Sequence, residues 1–261
     1  MYPILYKLGP ITLYTYGFML AVAFLSAILV GGWEAQRLGL PKGRFFDLCF
    51  YIILAALLGS RLLYVIVNID FFIQNPLKII AMWEGGLVFH GGLIAAVVTA
   101  FFYMRRHGLP YLRTFDALAL GMPLGQFFGR IGCFMAGCCF GRPTDVPWAV
   151  TFTHPDTLCP LRVPIHPAQL YESFLDFGVF LVLLGLRKRK RFDGQLLFTY
   201  FCLAGLVRFF VEFFRAPTAL DPRGPEILFH MPATQVTALG IAVVSGALLL
   251  WGWRRYGKIS A

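Results

Sequence analysis

The sequence predicts an all-α, polytopic membrane protein of seven transmembrane helices, and three observations carry that expectation. Hydrophobic residues make up 58% of the chain and charged residues only 14%, whereas a soluble domain is about a quarter charged. Seven apolar stretches recur, each near the length that crosses a ~30 Å hydrocarbon core as a helix. Most basic residues outside them fall on alternate connections, as they do in multi-pass proteins.

In order, the expected spans are about 16–33, 46–67, 86–104, 114–135, 168–186, 195–214 and 234–252. The first is read as retained in the mature chain, because it lacks a basic n-region and a small-residue cleavage site and six further spans follow. Before it, YPILYKLGPITLYT alternates apolar and polar groups, which suits a segment lying along the surface or a frayed terminus. Of the 23 Lys and Arg, 14 lie on one set of connections, including Arg37, Arg105, Arg106, the RKRKR run at 187–191, Arg254 and Lys258. The other set holds 6, namely Lys7, Lys78, Arg142, Arg162, Arg215 and Arg223. The positive-inside bias makes the richer set cytoplasmic, with the N-terminus outside and the C-terminus inside. The net charge of +10 is then a topology signal and an attraction to anionic headgroups, with nothing to suggest nucleic acid. Tyr14, Tyr16, Trp83, Trp148, Trp251 and Trp253, near span ends, fit interfacial belts.

No repeat or composition shift divides the chain, so a single membrane domain over residues 1–261 is expected. Three outer connections are long: 68–85, 136–167 and 215–233. They mix Pro, Gly and aromatics and are expected to lie at the interface or fold over the bundle mouth, residues 136–167 forming a small outer head region.

The three remaining basic residues, Arg61, Arg130 and Arg208, lie inside spans, where an ionisable group is costly and marks a functional site by default. From the topology all three fall in the outer half, as do His90, Glu172 and Tyr16. Six helices thus bring polar groups to one layer, and the inner halves carry almost nothing comparable. A channel or transporter would line its path through the full thickness or break helices at the midplane. An outer layer instead suits a ligand with a polar part near the headgroups and tails in lipid. Arginine's forked donors match phosphate oxygens and cannot lose their charge, so a phospholipid head is the natural ligand. The alternative is simple ion pairing: Arg208, Glu212 and Arg215 have the i, i+4 and i, i+3 spacing of helical pairs. His90, in EGGLVFHGGL, has glycines on both sides that bring backbones close. Its imidazole, with an ordinary pKa of ~6.5, could take a thiol proton or give one to a leaving oxygen, or could be a structural donor.

Cys133, Cys138, Cys139 and Cys159 lie at or beyond the outer end, where disulfides can form, while Cys49 and Cys202 sit in spans as packing residues. The spacing of Cys133, Cys138 and Cys139 matches no CxxC zinc or thioredoxin pattern. These three are expected to fill space beside Gly132, Gly137 and Gly141.

Several stretches together resemble the bacterial prolipoprotein diacylglyceryl transferase family: YGFML (16–20), GSRLLYV (59–65), EGGLVFHGGL (84–93), GRIGCFMAGCCFGRPT (129–144), HPAQLYES (166–173) and RFFVEFFRAP (208–217). They keep the family's order and cover nearly the whole chain. A frequent form of the 129–141 signature has Asn and Glu where this chain has Cys133 and Cys138, so no role carries over to those two. A tyrosine that some members carry one turn before Arg208 is Ala204 here.

The resemblance implies transfer of an sn-1,2-diacylglyceryl group from phosphatidylglycerol to the lipobox cysteine of a prolipoprotein signal peptide. It implies roles for Tyr16, His90, Arg130, Gly141, Arg208, Glu212 and Arg215. On this reading Arg130 and Arg208 meet the phosphate, His90 is the candidate base, and Tyr16 and Gly141 contact the lipid. Arg61, Glu172, Glu212 and Arg215 support them. No cofactor or metal is called for, and the nucleophilic thiol belongs to the substrate. A monomer in the bacterial inner membrane, taking both substrates from surrounding lipid, is expected. A lipid-binding protein without chemistry would use the same arginines, and a thiol oxidoreductase would use the cysteines.

Overall fold

The computed structural model describes residues 2–8, 11–81, 85–217, 226–228 and 231–256. Trp83, Glu84, Arg223 and Lys258 lie outside them. Each expected span coincides with a helix: α1 (Thr15–Arg37), α2 (Lys42–Val67), α4 (Phe89–His107), α5 (Tyr111–Ala136), α6 (Ala168–Leu186), α7 (Gln195–Val211) and α8 (Ala233–Tyr256). A short α3 (Ile69–Gln74) and a 3-10 turn (Pro76–Ile80) follow α2. Helices α1, α2, α6 with its 3-10 extension, and α8 are long and apolar enough to cross a membrane. Basic residues occupy the last turns of α1 (Arg37), α4 (Arg105, Arg106, His107) and α8 (Arg254, Arg255). There they meet the negative end of the helix dipole, which favours the helix ends.

The chain is mostly helical and not purely so. Among the described residues six short strands pair as three antiparallel ribbons: β1 (Ile4–Leu8) with β2 (Ile11–Tyr14), β3 (Val150–Thr151) with β4 (Pro164–Ile165), and β5 (Glu226–Leu228) with β6 (Met231–Pro232). The period-two alternation before α1 is the strand signal, and pairing Tyr6 with Leu13 satisfies backbone groups that a frayed end would leave to water.

The chain divides into two compact units, Ala35–Thr114 and the remainder. In the smaller unit α2 and α4 cross at Gly59, Gly91 and Gly92. A Cβ on Gly59 would stand 2.6 Å from the Gly91 carbonyl oxygen, and one on Gly92 would stand 2.9 Å from that of Ala56. Only glycine lets the two backbones approach this closely. In the larger unit α5, α6 and α7 bury Leu120, Leu183, Leu196 and Val211 together. The connection 137–167 has its own small core of Phe152, Cys159 and Ile165, against which Phe134 and Phe140 pack.

The opposite ends of these helices carry ion pairs that the outer-layer expectation leaves out. Arg187 Nη1 donates to Glu34 Oε2 at 3.1 Å, with both side chains buried, and its guanidinium lies 3.4 Å from the Trp33 ring centroid. Asp116 accepts from Lys190 Nζ (2.8 Å) and from the backbone N–H groups of Gly194 (2.8 Å) and Leu197 (2.9 Å). The RKRKR run is therefore only partly exposed. Lys188, Arg189 and Arg191 are exposed, while Arg187 and Lys190 fasten the α6–α7 turn.

Candidate functional site

Helices α5, α6 and α7 bring Arg130, Glu172 and Arg208 to one place. Arg130 Nη2 donates to Glu172 Oε1 at 2.8 Å, and Arg208 Nη1 lies 3.7 Å from Glu172 Oε2. Glu172 is only 6% exposed, so two cations compensate one carboxylate away from bulk water. One turn on, Arg208 Nη2 reaches Glu212 Oε2 at 3.0 Å, and Arg215 Nη1 lies 3.8 Å from the same oxygen, the pairs their spacing allows. Thr234 donates to Glu212 Oε1 at 3.0 Å. Pairing and anion binding are compatible here. Arg208 Nη1 is buried without a hydrogen-bond partner among the described residues. A buried donor with no acceptor costs about 1–3 kcal/mol, which an incoming anion would recover.

Each arginine faces a cavity. Arg130, Tyr16, Gln126 and Cys133 line one of about 420 Å³, completed by Leu20, Phe24 and Met122. Arg208 and Thr234 line another of about 240 Å³ with Phe201, Ala204 and Ile241. Each places a guanidinium at the margin of an apolar space, the arrangement a phosphate with acyl tails requires. The small Ala204 side chain lines the second cavity one turn before Arg208.

The motif HPAQLYES is legible in contacts. Gln169 Nε2 donates to the Cys138 carbonyl (2.8 Å), Ser173 Oγ to that of Phe127 (3.0 Å), and Glu172 takes the arginines. Gly141 is buried with its N–H donating to the His166 carbonyl at 3.1 Å, opposite Arg215 in an antiparallel bridge. A Cβ there would stand 2.6 Å from His166 Cβ and 2.8 Å from the Phe214 carbonyl oxygen, so only glycine fits between the two segments. Gly141 thus ties the connection between α5 and α6 to the residues that follow α7.

Arg61 and His90 belong to the smaller unit. Arg61 is 5% exposed and donates Nε to the Ile79 carbonyl (2.9 Å), Nη1 to those of Gly85 (2.6 Å) and Gly86 (3.1 Å), and Nη2 to that of Lys78 (2.5 Å). The rings of Tyr64 and Phe72 flank it at 5.5 Å. It holds the segment after α3 onto α2, and four of its five N–H groups are engaged. His90 is exposed in the first turn of α4, its ring edge-on to Phe89 at 5.8 Å.

Sequence reasoning passed over Asp176, one turn beyond Glu172 on α6. It is 3% exposed, and its Oδ2 has no hydrogen-bond partner among the described residues. Its signal is an acid four residues after Glu172 inside an apolar span. None of the six cysteines is in a disulfide. The Sγ atoms of Cys133, Cys138 and Cys139 lie within 4.8 Å of one another. Hydrogen bonds with Cys133 and Cys138 lower the pKa of the Cys139 thiol, whereas those with Cys133 and Cys139 raise that of Cys138.

Fold and site define a helical membrane protein that presents carboxylate-paired arginines at the edge of apolar cavities. The chain belongs to the prolipoprotein diacylglyceryl transferase family, whose model matches residues 3–253. It is similar to curated relatives called phosphatidylglycerol–prolipoprotein diacylglyceryl transferase. The relative from Desulfotalea psychrophila is 34% identical over 98% of this chain and 94% of its own length. That from Geobacter sulfurreducens is 36% identical over 83% of each, and that from Azospirillum brasilense 38% identical over 83% of this chain and 82% of its own.

Proposed function

We propose that this protein transfers the sn-1,2-diacylglyceryl group of phosphatidylglycerol to the thiol of a prolipoprotein lipobox cysteine, forming a thioether and releasing glycerol phosphate. The observation that carries the reading is the pair of arginines held by Glu172, with the Arg208 Nη1 donor lacking a hydrogen-bond partner among the described residues. In the reaction the substrate thiolate attacks the glycerol carbon next to the phosphate ester. The C–O bond breaks and its electron pair goes to the phosphate oxygen. Arg130 and Arg208 neutralise charge on that phosphate, and their hold on Glu172 sets where the charge sits before substrate arrives. The thiol proton goes to a base, for which His90 is the candidate the sequence offers. Tyr16 shares the Arg130 cavity and contacts the headgroup or an ester. Glu212, shared with Arg215, holds Arg208, and Arg61 has a supporting role through the segment it clamps.

The same reading takes all seven long helices as spans, with the N-terminus outside and the C-terminus in the cytoplasm. The protein works as one domain and a monomer in the bacterial inner membrane, with the arginine layer in the outer half. The exposed apolar side chains of Ile73, Leu77 and Ile80 support an interfacial seat for the segment after α2. Purified protein, phosphatidylglycerol vesicles and a lipobox peptide should yield a diacylglyceryl thioether detected by mass. Bound phospholipid with no covalent product would reduce the protein to a lipid binder, and equal reaction of a cysteine-free peptide would end the proposal.

A further inference from the structure

The transfer reaction leaves Cys133, Cys138 and Cys139 unused, and their spacing is no metal motif in sequence. The ending of α5 changes that. Gly137 adopts a left-handed φ of 76°, Cys138 N–H donates to the Cys133 carbonyl at 3.1 Å, and Gly137 N–H donates to that of Phe134 at 3.3 Å. This double closure of a helix C-terminus folds residue 138 back over residue 133. Cys139 continues the turn with a φ of 57°, rare for a side chain other than glycine. Gln169 fixes the turn by donating to the Cys138 carbonyl at 2.8 Å. Residues five and six apart thereby bring their Sγ atoms within 4.8 Å of one another.

We propose that Cys133, Cys138 and Cys139 form a three-thiolate site for a soft d10 cation, Zn²⁺ or Cu⁺. Thiolate sulfur selects such ions over hard ones. Zinc–sulfur bonds of about 2.3 Å in a tetrahedron set the sulfurs roughly 3.8 Å apart, so the thiols close by about 1 Å at most, within the reach of side-chain rotation. Three thiolates around Zn²⁺ carry one net negative charge, and Arg130 and Arg215 supply positive charge beside Cys139. Cys133 is buried, whereas Cys138 and Cys139 are half-buried. Cys138 also lines a cavity of about 420 Å³ with Tyr14, Tyr16, Asp156 and Leu158, which admits the ion and leaves room for water as a fourth ligand. The ion fastens the end of α5 to the turn that begins the outer connection.

The test uses the full-length protein, reduced and purified without oxygen, titrated with Co²⁺ as a coloured stand-in. One equivalent should produce thiolate-to-cobalt charge-transfer absorption in the near ultraviolet, bleached by Zn²⁺ or Cu⁺, and the bound ion should raise the melting temperature. The C133S/C138S/C139S variant should lose the absorption, and Cys202→Ser should keep it. The titration of the unaltered protein decides the matter even if the triple variant folds poorly. The site is overturned if no charge-transfer band or zinc binding tighter than about 1 μM is found while the three thiols remain titratable. A Cys133–Cys138 disulfide in the protein as isolated overturns it equally.

Discussion

Replacing Glu172 with Gln should slow transfer without weakening phosphatidylglycerol binding. Glu172 Oε1 lies 2.8 Å from Arg130 Nη2, and Oε2 lies 3.7 Å from Arg208 Nη1. At an effective dielectric of about 20 these separations give gross attractions of roughly 6 and 4.5 kcal/mol. Desolvation cancels most of that, and removing one partner of a buried pair costs about 3–5 kcal/mol net. The two arginine side chains are 25% and 24% exposed, and solvent screening lowers the expected loss of stability to roughly 1–3 kcal/mol. A glutamine oxygen can keep one arginine, but its NH₂ group then meets the donors of the other, which loses its anchor. Both guanidinium groups still attract phosphate, and the competing carboxylate charge is gone, so KM for phosphatidylglycerol should hold or fall. Turnover depends on where the charge sits, and a displacement of about 1 Å can cost on the order of 100-fold. The assay is thioether formation on a lipobox peptide across a phosphatidylglycerol series, beside a thermal melt. A folded Glu172→Gln protein with wild-type kcat would refute the positioning argument, and so would a raised KM at unchanged kcat.

Arg130→Lys should lose transfer by about 100-fold or more, because a point charge cannot hold Glu172 and a phosphate through one planar fork; full activity in the same peptide assay would remove the two-pronged contact. Arg61→Ala should lower the melting temperature, with roughly 3 kcal/mol or more lost through carbonyls left without donors. In the protein that remains folded, KM for phosphatidylglycerol should be unchanged, and a raised KM would return Arg61 to lipid contact. Gly141→Ala should cost about 1–3 kcal/mol or more by overpacking between His166 and Phe214, read as a lowered melting temperature. Replacing Cys133, Cys138 and Cys139 together by serine should leave most of the transfer activity in a folded protein, since the reacting thiol arrives with the substrate; complete loss would favour thiol chemistry by the enzyme.

The helices could be read from the chain because an apolar run of spanning length has few other stable forms, and each of the seven appears within a few residues of its expected ends. Arg130, Arg208 and Glu172 stood out for the same reason, since charge in such a run must find a partner. Whether that partner was a side chain or a carbonyl was not legible. Arg130 meets Glu172 forty-two residues away, while Arg61 closes on four backbone carbonyls, and an isolated arginine looks the same in either case. The Asp116–Lys190 and Glu34–Arg187 pairs escaped notice because their partners lie far away in the chain.

By itself the sequence determined the class of protein, the order of the helices and the residues too polar for their surroundings, because hydrophobic length and charge are local properties. Only the tertiary structure decided which charges share a carboxylate, why Gly141 must be glycine, and how Cys133, Cys138 and Cys139 come together. Each of these depends on where a helix ends or which helix lies beside it, and the distances that matter are a few ångströms between residues far apart in the chain.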